Sequence, residues 1–213
     1  MDLTVLHEVT YGMYVVGVDD AGRPSGCVIN TLCQITSENP IVSISMSKQN
    51  YTYEVIRRTR RFSISILSED TARNAVAVLG FTSGRDTDKF KDVPHTSFHG
   101  LPVLASGICG KLSCDVIEMV DMQTHAVIFA RLTDTAPGDC QNPMTYSYYH
   151  RVFKGKAPKN APTYQAEAAP QQGQAPRYVC DICGYVYEGD LTKAPADFVC
   201  PVCHMDKSHF HLQ

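Results

Sequence analysis

Cys180-Asp181-Ile182-Cys183 and, with sixteen residues between the pairs, Cys200-Pro201-Val202-Cys203 constrain this chain more than any other stretch. Each Cys-x-x-Cys presents two thiolates to one side, and two such knuckles close a tetrahedral four-sulfur shell around one metal ion. Zinc and iron both accept that shell, so the spacing leaves the metal open. Rings crowd the ligands: Tyr178 stands two before the first, Tyr185 and Tyr187 follow the second, Phe198 stands two before the third and Phe210 follows the fourth. A unit below about 40 residues rarely builds a core without a metal or disulfides, so these rings are expected to pack beside the metal. Gly184 suits a turn of positive φ that aims backbone N–H groups at the sulfurs.

The rest of the chain must explain why a domain of about 175 residues carries such a tail. With 213 residues, 44% hydrophobic and 19% charged, there is material for one sizeable core and a small module. The net charge of −3 and a pI near 6.2 argue against a nucleic-acid partner, which needs clustered cations. The one dense cluster, Arg57, Arg58, Arg60 and Arg61, is expected to be a solvated helix end. No apolar run nears the roughly 20 residues needed to cross a bilayer, and Met1-Asp2-Leu3-Thr4 does not open a signal segment, so a soluble cytoplasmic protein is expected. Five cysteines lie outside the knuckles (Cys27, Cys33, Cys109, Cys114 and Cys140) and read as small buried hydrophobes in a reducing compartment.

Hydropathy along the chain predicts strands. Met13 to Val18 is apolar, Asp19 to Pro24 is rich in turn formers, and Ser25 to Thr36 reads as the return strand. Ile41 to Ser47 alternates strictly, with Val42, Ile44 and Met46 on one face. Asn50 is placed to cap a helix to about Arg60, with Tyr51, Val55 and Ile56 at helical spacing. Arg61 to Leu67 alternates again, with Phe62, Ile64 and Ile66 inward. A second helix runs from about Asp70 to Gly80, Thr82 to His99 reads as irregular, and strands follow at about Lys111 to Met122 and His125 to Thr133. At least six antiparallel strands with few short helices make a mainly β, barrel-like domain.

No Gly-x-Gly-x-x-Gly or P-loop occurs, which excludes a Rossmann or Walker nucleotide site. Instead Ser45-Met46-Ser47-Lys48-Gln49-Asn50-Tyr51-Thr52 brings hydroxyls, a Lys and a helix start together, a place fit for a phosphate. An ordinary capped turn would read the same.

Two resemblances join these readings. Tyr-Val-Cys-Asp-Ile-Cys-Gly-Tyr-Val-Tyr-Glu-Gly and Phe-Val-Cys-Pro-Val-Cys, within residues 177–213, resemble rubredoxin. The short gap between the pairs, with His204 in place of a Gly, is similar to the module that ends rubrerythrins. This implies iron held by Cys180, Cys183, Cys200 and Cys203. Tyr-Gly-Met-Tyr-Val-Val-Gly-Val, Gly-Cys-Val-Ile-Asn-Thr-Leu-Cys-Gln-Ile-Thr, Asn-Pro-Ile-Val-Ser-Ile-Ser, Gln-Asn-Tyr-Thr-Tyr-Glu, Arg-Phe-Ser-Ile-Ser-Ile-Leu and Thr-His-Ala-Val-Ile-Phe-Ala, in that order, resemble the flavin reductases with an FMN-binding split barrel. The second resemblance implies that Asn30, Thr31 and Gln34 border the flavin and its ribityl chain. It implies that Ser47, Lys48, Asn50 and Thr52 hold the FMN phosphate, and that His125 lies near the flavin ring and the nicotinamide. Cys27 stands where the family has Thr or Ser.

The resulting division is a split barrel over 1–164, a flexible linker over 165–176 with a coil reach of roughly 20 Å, and an iron domain over 177–213. Together the resemblances imply an electron-transfer enzyme passing electrons from NAD(P)H, NADH being the expected donor, through FMN to one iron. From there they go to a redox partner such as a flavodiiron protein or rubrerythrin, and a homodimer is expected. The alternative is an NAD(P)H:flavin reductase releasing reduced flavin, its tail a structural zinc ribbon.

Overall fold

The computed structural model describes residues 3–153, 177–180, 185–195, 197–202 and 205–212. The expected linker, Gly184, His204 and two of the four expected ligands, Cys183 and Cys203, lie outside them. The first strands form a hairpin, β1 (Tyr14–Asp20) and β2 (Arg23–Ile29), closed by Ala21 and Gly22 at φ 52° and 90°. Two successive left-handed residues make the tight turn that matches strand twist. The return strand is shorter than expected: the chain leaves the sheet at Asn30 and re-enters on its far edge as β3 (Cys33–Gln34), beside β4 (Ile41–Ser47). One run of extended sequence therefore serves both edges. The sheet has seven strands in the order β2-β1-β5-β8-β9-β4-β3, with β5 at Arg61–Leu67, β8 at Ile108–Met122 and β9 at His125–Pro137.

Its interior holds Val16, Val18, Ile44, Met46, Phe62, Ile64 and Ile128, all buried, and for Ile44, Met46, Phe62 and Ile64 the alternation predicts it. Ile66 is only half-buried, while Ser63 and Ser65 on the opposite face are fully buried. The region expected to be irregular explains this. It ends in β6 (His95–Phe98), which pairs as a hairpin with β7 (Leu101–Leu104) just beyond it, and β7 lies over that face of the sheet. The Ser63 hydroxyl donates to the Pro102 carbonyl at 2.6 Å, and Leu104 N–H donates to the Ser65 hydroxyl at 3.1 Å. Two serines that read as solvent-facing are thus satisfied inside, as buried hydroxyls must be.

Helix α1 (Tyr51–Thr59) is capped by Asn50, whose Oδ1 accepts from Thr52 N–H at 3.0 Å. Its buried stripe is Thr52, Val55 and Ile56. Tyr51 sits beside that stripe, its hydroxyl donating to Asp20 and its ring flanked by the guanidinium groups of Arg23 and Arg85. The basic run closes the helix as expected: Arg60 is left-handed at φ 59°, and Arg58 pairs with Asp20. Helix α2 (Arg73–Phe81) starts three residues later than predicted and presses Ala75, Val76 and Leu79 into a second core with Met13, Val15, Phe90 and Tyr149.

The tail forms a three-stranded sheet of β10 (Arg177–Cys180), β11 (Val186–Glu188) and β12 (Phe210–Leu212). Among the described residues no helix is long and apolar enough to cross a membrane.

Candidate functional site

The strand-to-helix turn gathers part of the expected set. Ser47 ends β4 directly opposite His125, which begins β9. The turn between them folds tightly, Asn50 N–H donating to the Ser47 carbonyl at 3.0 Å and Lys48 N–H to the Thr124 carbonyl at 3.0 Å. His125 Nδ1 lies 2.9 Å from the Thr124 hydroxyl, and its Nε2 is buried with no partner among the described residues. Thr52, 1% exposed, lies inward beside Asn50, and both stand by the buried Cys27 thiol on β2, favouring its thiolate against the effect of burial.

The remaining expected residues are placed differently. The Thr31 hydroxyl donates to the Ser45 carbonyl at 2.9 Å and accepts from Ser45 N–H at 3.1 Å, so it staples the crossover after β2 to β4. Asn30, just before it, is buried. Gln34 is exposed and its amide donates to the Thr36 carbonyl at 3.0 Å, away from the turn. Lys48 Nζ is held by Asp121 at 2.7 Å, and that bond keeps the Asp121 carboxyl below the usual carboxylate range. Beside this pair a cleft of about 720 Å³ opens on the outer side of α1, lined by Lys48, Tyr53, Glu54, Arg57, Arg58 and Asp121. It shares only Lys48 with the expected phosphate seat.

Two residues absent from the sequence reading complete the inner side of the turn. Lys89, 3% exposed, donates from Nζ to the Leu79 carbonyl at 2.6 Å. Burial lowers its pKa to about 8, the neighbouring Cys27 opposing the shift. Burial in turn raises the Cys27 thiol pKa, with Lys89 pulling the other way. Ser25, 2% exposed on β2, has a buried hydroxyl without a partner among the described residues. Both approach Gly84, where a Cβ would stand 2.5 Å from Ser25 Oγ and 3.5 Å from Lys89 Cδ, so only glycine leaves this space open.

A buried ammonium held by a neutral carbonyl, and beside it a hydroxyl that no described residue satisfies, cost free energy unless an anion joins them. With the start of a helix beside them, they have the chemistry of an oxyanion seat. Lys89 escaped notice because its segment reads as a polar loop. The sequence signal that would have found it is the lysine set directly against Phe90, itself buried.

The tail presents matching knuckles. Cys180 N–H donates to the Tyr185 carbonyl at 2.9 Å and Cys200 N–H to the Met205 carbonyl at 2.7 Å. Val179 pairs with Val186, and Val199 with Asp206, in the same relation. Cys180 and Cys200 are buried in one cluster with Tyr185, Met205 and Phe210 packed on it, and Tyr187 meets Phe198 edge to face at 5.1 Å, with Phe210 tilted against Phe198 at 5.8 Å. The rings therefore form the body of the module. Two equivalent hairpins that bury their first cysteines fit a four-thiolate metal centre.

A seven-stranded split barrel with an oxyanion seat at one strand-to-helix turn, followed by a four-cysteine module, defines a flavin reductase fused to a rubredoxin-type domain. Residues 6–157 match the flavin reductase like domain, and the chain belongs to that family. Residues 178–211 match the rubrerythrin, rubredoxin-like domain. More particularly, the chain is 37% identical over 226 aligned positions to the high molecular weight rubredoxin of Moorella thermoacetica, with 99% of each chain covered. It is 27% identical to the ferric-chelate reductase (NAD(P)H) of Archaeoglobus fulgidus, over 77% of this chain and 98% of that one. The crystal structure of an FMN-binding protein from Thermus thermophilus superposes with a TM-score of 0.57 at 26% identity, over 62% of this chain and 74% of that one. The protein is thus a flavin oxidoreductase with a rubredoxin-like tail.

Proposed function

We propose that this chain carries electrons from NAD(P)H through FMN to a single iron, and from iron to an external redox protein such as a flavodiiron protein or rubrerythrin. The observation that carries the reading is the pairing, in one chain, of a buried oxyanion seat with two thiolate knuckles. FMN, when bound, takes up the two electrons of a hydride and releases them singly, as a one-iron centre requires.

In this reading Ser25, Ser47, Asn50, Thr52 and Lys89 hold the FMN phosphate. The seat ends against buried Lys89 and Ser25, which favours a terminal phosphate over a pyrophosphate leading to a second nucleotide. Lys48 reaches the anion only by releasing Asp121. Asn30 and Thr31 shape the backbone beside the ring, and Gln34 joins them only by leaving Thr36. His125 offers its unpartnered Nε2 to the ring or the nicotinamide. Cys180, Cys183, Cys200 and Cys203 hold the iron. The protein acts as a homodimer with NADH as the donor.

Anaerobic stopped-flow spectra test the sequence of events. On mixing with NADH, flavin absorbance bleaches before or together with the ferric bands, and His125→Ala slows the first phase. Ferric bands that vanish at an undiminished rate in protein stripped of flavin would overturn the relay. Stoichiometric zinc would return the chain to the class of reductases that release free reduced flavin.

A further inference from the structure

Helix α2 is apolar on two sides. Ala75, Val76 and Leu79 face the barrel core, while Arg73, Ala77 and Phe81, at positions i, i+4 and i+8, form a separate stripe on the other face. A helix apolar all round is a buried helix, and here the second face is covered by the metal module. Ala77, 1% exposed, shares a cluster with Cys180, Cys200 and Val202, and Phe81 packs against it. The Arg73 guanidinium lies 4.7 Å from the centre of the Phe153 ring and donates from Nη1 to the Pro201 carbonyl at 2.8 Å. Pro201 and Val202 are the two residues between the ligands of the second knuckle, and Val202 is buried. The same helix meets the oxyanion seat. Leu79, about 3 Å further along the axis than Ala77 at 1.5 Å per residue, gives its carbonyl to Lys89.

We propose that the Arg73–Ala77–Phe81 stripe is the docking seat of this chain's own metal module, and the position in which its iron receives electrons. The second half rests on the relay reading above. Each transfer moves one electron to ferric iron, which becomes ferrous; no bond forms or breaks, and NAD(P)H is the ultimate reductant. While docked, the second knuckle faces α2, so delivery to an outside acceptor requires the module to leave its seat.

Two full-length variants test this: Ala77→Glu, which sets a charge against Val202, and Arg73→Ala, which removes the bond to Pro201 at the helix edge and spares the core should the first variant fold poorly. Small-angle X-ray scattering reads the docking without any redox step, and the radius of gyration is expected to rise in both. The rate of ferric reduction by NADH is expected to fall about tenfold or more, as loss of a charged donor implies. Flavin content and NADH oxidation with a flavin-reactive dye should not change. Unchanged dimensions in both variants would overturn the seat. Expanded dimensions with unchanged ferric reduction would overturn its role in transfer. Expansion that follows dilution of a dimer, and not the substitutions, would assign the seat to a second copy's module and overturn the in-chain assignment. If wild-type iron ignores NADH, the relay fails while scattering still decides the seat.

Discussion

Lys89 links burial, charge and ligand at the scale of one residue. Its folded pKa of about 8 lies below the ordinary 10.5 because burial disfavours the ammonium. Between those values the unfolded chain holds more protons than the folded one, so stability of the flavin-free protein rises with pH across that window. The full difference is about 3 kcal/mol, at about 1.36 kcal/mol per pH unit. Lys89→Met is expected to abolish the rise, measured as urea unfolding of flavin-free wild type and variant at pH 7 and near 10.5. In the same variant FMN affinity should drop by about 1.5–3 kcal/mol, the worth of a hydrogen bond to a charged group, read by fluorescence titration. Equal FMN affinity in both proteins would move the phosphate elsewhere. The candidate site was half legible: Ser47, Asn50 and Thr52 sit in a local pattern of strand end, cap and first turn. Lys89, Ser25 and Cys27 converge on it from distant segments, and no local pattern announces that.

At the scale of the element, α1 does two jobs with one cap. Asn50 both satisfies Thr52 N–H and stands beside the Cys27 thiol at the oxyanion seat, favouring its thiolate. Asn50→Ala is expected to lower stability by about 1 kcal/mol and to weaken flavin binding. Asn50→Asp separates the two jobs, because Asp caps a helix as well as Asn yet sets a carboxylate beside the phosphate. Thermal denaturation should show stability kept, and titration should show FMN affinity lost. The β6–β7 hairpin carries a different lesson. His95–Phe98 and Leu101–Leu104 are short, and one holds Pro102, so their periodicity is too brief to distinguish from loop. Their pairing shows only when Ser63 and Ser65 need partners.

At the scale of the whole molecule, two units of different chemistry share one chain. Cys200→Ser is expected to remove the iron and its visible absorption while leaving FMN bound and NADH oxidation with a dye largely intact. Metal analysis and the absorption spectrum check this. Loss of FMN together with iron would mean that the barrel cannot hold its cofactor without the tail. The barrel has two apolar clusters of its own, whereas the tail's cluster is completed by Ala77 of α2. That asymmetry places the cost of losing iron on the tail and on its contact with α2.

Features that depend on nearest neighbours and short periods are written in the chain directly. The four-cysteine spacing, the strict alternation of Ile41–Ser47 and Arg61–Leu67, the Asn50 cap and the turn before Arg23 are all set by local backbone and ligand geometry. Together with the ordered motifs they were enough for the fold and the two kinds of redox domain. Other features emerge with the packed fold: the extended run after β1 splits between two sheet edges, β7 buries two serines, Lys48 pairs with Asp121, and Lys89 and the second knuckle meet one helix. Each of these joins residues far apart in the chain. Their proximity follows from how sheets and helices fill space, and no window of sequence contains both partners.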